Sequence, residues 1–109
     1  MAADVGAQMR KGVVEYCVLG LLAREPMYGW QLADALTRAG LIASIGTLYP
    51  LLGRLRDNGA VIAFEQTGGS GPVRKYYRLT DAGTAQLSQF RAQWTPFAHV
   101  VTGLIGEER

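Results

Sequence analysis

The chain has 109 residues, room for one domain with a modest core. Apolar side chains make up 49% of it, too many for a disordered chain, while a net charge of +2 does not by itself mark a nucleic-acid partner. Cys17 and His99 are alone of their kinds, which excludes an internal disulfide or a Cys/His metal cluster within one chain and suits a reducing cytoplasm.

Residues 1–8 are small and polar and read as a flexible tail. Residues 9–24 then read as a helix, because Val13, Val14, Tyr16, Cys17, Val18, Leu19, Leu21 and Leu22 cover nearly its whole circumference. Such a helix must be buried on several sides, and one small domain has few elements to cover it, so a second subunit is expected to help. The apolar run from Gly12 to Ala23 is broken by Glu15 and is too short to span a bilayer; it is a core helix, not a membrane anchor. Glu25 and Pro26 end it. A second helix is expected over residues 27–38, with Tyr28, Leu32, Ala35 and Leu36 inward, Trp30 off that face and Gly40 as the stop.

The next helix has the most unusual outer face in the chain. Leu48, Leu51, Leu52 and Leu55 mark its buried side. Opposite them fall Gly46, Tyr49, Pro50, Gly53, Arg54 and Asp57, where an ordinary solvated face would carry lysine and glutamate. Small residues there let a partner surface approach the backbone closely. Pro50 has no N–H, which favours a start with Thr47 as N-cap and with Ser44 and Gly46 in the preceding turn. The two helices then form a helix-turn-helix.

Asn58 and Gly59 close that pair. Residues 60–66 and 74–79 read as two strands joined by a glycine-rich loop, with Arg74, Lys75 and Arg78 on the return arm. The loop lacks the Gly-Lys-Ser/Thr ending and the following helix of a phosphate loop. Thr80 should cap the last helix, with Asp81 at its positive end. Along it Leu87, Phe90, Trp94, Phe97, Val101 and Leu104 alternate spacings of three and four, the seam of a subunit contact, and Pro96 should bend it.

The fold class is therefore mostly α with a small β-hairpin: residues 1–8 a tail, 9–79 a winged helix-turn-helix, and 80–109 a C-terminal dimerisation helix in the same unit. In such folds the second helix of the pair enters the DNA major groove and the hairpin lies along the backbone. Thr47 and Tyr49 offer hydroxyls there, and Arg54, Arg74, Lys75 and Arg78 offer cationic phosphate contacts. A winged helix used only for protein contacts is the alternative.

The sequence also resembles the PadR-type transcriptional regulators. The matching pieces are Tyr28-Gly29-Trp30-Gln31-Leu32, Gly46-Thr47-Leu48-Tyr49-Pro50-Leu51-Leu52-Gly53-Arg54-Leu55, Asn58-Gly59, the run from Gly71 to Thr80, and Asp81-Ala82-Gly83. They follow the family's order over most of residues 12–85, although Ile45 stands where the family commonly has an acidic residue. The resemblance implies a dimeric, usually repressing regulator of the compact branch that binds an inverted-repeat operator in double-stranded DNA. It places Tyr28, Ser44, Thr47, Tyr49 and Pro50 at or near the DNA. With the residue chemistry above, the candidate DNA-binding set is Tyr28, Ser44, Gly46, Thr47, Tyr49, Pro50, Arg54, Gly71, Arg74 and Lys75.

An effector site is expected at the subunit interface, where Phe90, Trp94 and Phe97 would face Met9 and Val13 and suit a planar aromatic small molecule. Neither a cofactor nor a metal is expected, and no acid/base pair or nucleophile suggests an enzyme. His99 could meet a metal only between subunits, with Glu107 or Glu108.

Overall fold

The computed structural model describes residues 5–67 and 71–106. Its elements run α1 (Val5–Arg10), α2 (Val14–Leu22), β1 (Met27–Tyr28), α3 (Gly29–Arg38), α4 (Ile45–Asp57), β2 (Val61–Thr67), β3 (Val73–Leu79) and α5 (Asp81–Ile105). The core is built where α2, α3 and α4 meet the base of the hairpin. Val18, Leu19, Leu32, Leu36, Leu48, Leu52, Leu55 and Val61 are its fully buried side chains. Burying each leucine contributes about 1.5–3 kcal/mol, so the inward face of α4 is the largest single anchor of the helix-turn-helix.

Both helices of that pair end in the same way. Leu41 N–H donates to the Leu36 carbonyl at 2.9 Å and Gly40 N–H to Thr37; Ala60 N–H donates to Leu55 at 2.9 Å and Gly59 N–H to Arg56. These are Schellman closures, which need a residue in the left-handed region, and Gly40 and Gly59 supply it with φ of 75° and 82°. Asn58 adds a side-chain bond to the Ala60 N–H at 3.0 Å and so turns the chain directly into β2.

Several boundaries differ from the sequence reading. Residues expected as a loose tail are helical from Val5 onward, and the expected helix over 9–24 is broken at Gly12, whose φ is +78°. Met27 and Tyr28 do not begin α3. They form a short strand that pairs Met27 with Tyr77 and Tyr28 with Tyr76, so the hairpin becomes a three-stranded antiparallel sheet of order β1-β3-β2. Gln31 reaches back to accept from the Tyr28 N–H at 3.0 Å and fixes the strand-to-helix corner. The wing tip at Gly68, Gly69 and Ser70, and the carboxylates of Glu107 and Glu108, lie outside the described residues.

α4 starts at Ile45 with Ser44 as N-cap, not after Thr47. Pro50 is thus its sixth residue and leaves the Gly46 carbonyl without a helical N–H. Ile45 is half-buried against the core, and this apolar contact pulls the first turn into the helix.

α5 is one helix through Pro96. Thr80 caps it as expected, its hydroxyl accepting from the Gly83 N–H at 3.0 Å. The expected seam divides in two. Leu87 is buried within this chain's own core, so it cannot serve a subunit contact, whereas Trp94, Phe97, Val101 and Leu104 are exposed. The reason is where α5 leaves the domain: its first turns lie against α2 and β3, and the rest projects. A radius of gyration of 16.0 Å, against about 13 Å for a compact chain of this size, records that projection.

Gly83 allows α5 to touch the chain after α4. A Cβ there would collide with the Ala60 carbonyl oxygen and come within 2.7 Å of Leu79 Cδ1. Gly83→Ala is expected to destabilise the fold by about 1–3 kcal/mol, read as a lower urea midpoint at unchanged m-value.

Candidate functional site

Tyr49 leaves the outer side of α4 and is 53% exposed. Its ring lies over Gly29 at the start of α3, where a Cβ would stand 3.5 Å from the Tyr49 hydroxyl. Close packing at Gly29 therefore lets a large side chain cross between the two helices while staying open to solvent. The two-residue β1 brings Tyr28 to the same place.

The wing adds the charge. Register pairs Phe64 with Tyr76 and Gln66 with Arg74, so Phe64, Tyr76, Arg74 and Tyr28 share one sheet face. Tyr76 stacks with Phe64 at 5.8 Å and meets Tyr28 edge-on at 5.4 Å. The Arg74 guanidinium lies over the Tyr28 ring at 4.6 Å, a cation–π contact that steadies it without removing its charge. On the other sheet face Tyr77 is buried. Burial pushes its phenol above the ordinary value, nearby Tyr49 adds to the rise, and Arg56 offsets part of it, so Tyr77 is a neutral floor at neutral pH.

The result is a cleft of about 230 Å³ lined by Tyr28, Gly29, Trp30, Tyr49, Arg74, Lys75 and Tyr77. Four of the expected DNA-contact residues, Tyr28, Tyr49, Arg74 and Lys75, converge here. Trp30, 61% exposed, joins them; its place off the inner face of α3 was the signal in the sequence, but its neighbours were not. Gly46 and Ser44 are exposed at the first turn of α4, and Gly71 at the described edge of the wing tip. Thr47, Pro50 and Arg54 do not join this cleft. They line a separate one on the other flank of α4, where Arg54 is paired with Glu15 at 4.0 Å.

A third cleft, of about 440 Å³, lies between the α1–α2 turn and α5. Val13, Phe90, Trp94 and Phe97 line it within one chain, whereas Met9 is not among its lining residues and is 69% exposed. Tyr16 takes part instead, stacking on Phe90 at 4.3 Å and 9°, with Phe90 and Trp94 stacked in turn at 5.5 Å. Gln86, Gln89 and Gln93 supply its polar wall. Cys17 lies outside this cleft and burial pushes its thiol up, so it is a poor nucleophile at neutral pH. Among the described residues no cluster of metal-ligating side chains is formed, and no helix is long and apolar enough to cross a membrane.

A helix-turn-helix followed by a basic two-stranded wing that pairs with β1, with the outer face of the second helix exposed, defines a winged-helix protein. Residues 18–89 match the transcriptional regulator PadR-like family, and the chain belongs to that family of transcriptional regulators. Transcriptional regulator Rv3488 of Mycobacterium tuberculosis is 34% identical over 96 residues, which cover 88% of this chain and 89% of that one. A PadR-like regulator of Bacillus cereus of known structure is 36% identical, with a TM-score of 0.84 over 93% of this chain and 99% of that one. Bacillus subtilis PadR, solved in complex with operator DNA, is 28% identical with a TM-score of 0.63; the match covers 72% of this chain and 46% of that one.

Proposed function

We propose that this regulator is a homodimeric repressor that holds an inverted-repeat operator and releases it when a planar aromatic molecule enters beside Trp94. The observation that carries the DNA reading is the convergence of Tyr28, Trp30, Tyr49, Arg74 and Lys75 beside the outer face of α4. Hydroxyls and aromatic edges suit base and sugar contact, and the wing cations suit phosphates. The operator complex of Bacillus subtilis PadR supports the same partner.

The projecting half of α5 supports the dimer. Phe97, Val100, Leu104 and Ile105 are each more than half exposed, an apolar strip that a single chain leaves in water. A two-fold contact along α5 covers it and fixes the spacing of the two α4 helices, hence of the half-sites. The stacked rings of Tyr16, Phe90 and Trp94 support the ligand, because a flat apolar molecule continues the stack and the glutamines orient its polar edge. Through different affinities for two subunit arrangements, such a ligand changes operator affinity.

Three outcomes are expected. Arg74→Ala with Lys75→Ala weakens binding to all duplexes alike and lowers the slope of log K against log salt by about one unit per lost phosphate contact. Binding that matches wild type at every salt concentration would refute the wing as the electrostatic arm. Phe97→Asp yields monomer in sedimentation equilibrium at concentrations where Arg91→Asp stays dimeric, since only Phe97 lies on the exposed strip. Planar aromatic compounds quench Trp94 fluorescence in a Trp30→Phe background and release operator DNA from the wild-type chain; compounds that do neither would remove the effector site.

A further inference from the structure

α4 carries cations on two flanks, and the wing accounts for one. Thr47, Pro50, Leu51 and Arg54 line a cleft of about 530 Å³ whose other wall is the end of α1 and the turn into α2: Arg10, Lys11, Gly12 and Glu15. This cleft shares no residue with the one that holds Tyr49 and the wing. At 3.6 residues per turn, Tyr49 lies about 130° around α4 from the centre of the Thr47, Pro50 and Arg54 set. Gly46 and Gly53 fall between them, on a crest with no side chain to hold a partner away. A duplex that receives this crest in its major groove presents one phosphate strand to each flank, because the groove is only about 12 Å wide.

The chemistry of the second flank suits phosphate. Arg10, Lys11 and Arg54 face one carboxylate, Glu15, whose contact with Arg54 is long at 4.0 Å. Arg10 and Lys11 have no ion-pair partner among the described residues. Nor are they carried on a loose segment. Lys11 N–H donates to the Gln8 carbonyl at 3.3 Å and Val13 N–H to the Arg10 carbonyl at 3.1 Å, which closes the turn around them.

We infer that the turn between α1 and α2 is a second backbone clamp, in which Arg10 and Lys11, with Arg54, hold the phosphate strand on the side of α4 away from the wing. The inference rests on the DNA-binding reading above and extends it to a surface that the helix-turn-helix and wing do not include. Each half-site is then gripped from both edges of the groove, with the sequence read between them. Arg10 and Lys11 contribute affinity but no base preference.

The test uses the full chain and an operator duplex selected from random DNA, titrated by anisotropy over a range of salt. Arg10→Ala with Lys11→Ala should lower the salt slope by up to about two units and weaken binding without changing the preferred sequence. Arg24→Ala, which removes a charge beyond the other end of α2, should run parallel to wild type. Glu15→Gln removes the carboxylate and frees Arg54, so it should tighten binding by about three- to tenfold at low salt. Circular dichroism checks that each variant is folded. If wild type binds and the Arg10/Lys11 variant superimposes on it at every salt, the clamp is refuted and the DNA reading stands. A folded Glu15→Gln protein that binds no more tightly than wild type also refutes it. A wild-type chain with no salt-dependent binding to any duplex removes both.

Discussion

The junction at Thr80 sets the geometry on which the rest of this molecule depends. Its N–H donates to the Ala60 carbonyl at 3.0 Å, its hydroxyl donates to the Gly59 carbonyl at 2.6 Å, and the same oxygen accepts from the Gly83 N–H. Three chain segments are thereby tied together: the exit of α4, the end of β3 and the first turn of α5. An N-cap contributes only about 0.5–2 kcal/mol, so its importance is directional more than energetic. With Gly83 pressed on Ala60, α5 can leave the winged helix along one line only, and that line fixes how far its apolar strip stands from the outer face of α4.

That geometry explains why α5 has two characters. Near Thr80 it closes the domain, with Leu87 completing the core. Phe90 is the transition, half-buried and stacked on Tyr16. Beyond the cleft that Phe97 still lines, Val100, Leu104 and Ile105 are each more than half exposed, although the apolar spacing continues unchanged. A proposed subunit contact on this half and a proposed DNA contact on α4 are thus connected by one rigid element and one hydrogen-bonded corner.

The turn between α1 and α2 joins the same system from the other side. Lys11 and Gly12 line both the aromatic cleft and the cationic cleft beside α4. The proposed ligand site and the proposed clamp therefore share a wall only a few residues long. α2 continues from that wall into the core through Val18, Leu19 and Leu22, which ties it to the helix-turn-helix by packing.

What the sequence by itself determined is everything written in short-range spacing. The leucines of α4 showed its buried face, Gly40 and Gly59 its turns, Thr80 and Asp81 the start of α5, and Arg74 with Lys75 a basic arm. The motif order was enough to point to the PadR family, and it brought Tyr28 and Tyr49 into view as site residues. Only the tertiary structure decided which partner each face meets. Leu87 and Phe97 belong to one heptad pattern, yet one is core and the other is exposed, because α2 and β3 reach only the first turns of α5. Met27 and Tyr28 are too few to display a strand period; they are a strand because β3 offers an open edge. Arg54 looked like a free cation until folding set Glu15 beside it, and one helix was expected from Met9 onward where Gly12 breaks the chain in two. Hydrogen bonding within a turn is local and leaves its mark in neighbouring residues, whereas burial is a property of distant segments brought together, and no spacing along the chain records it.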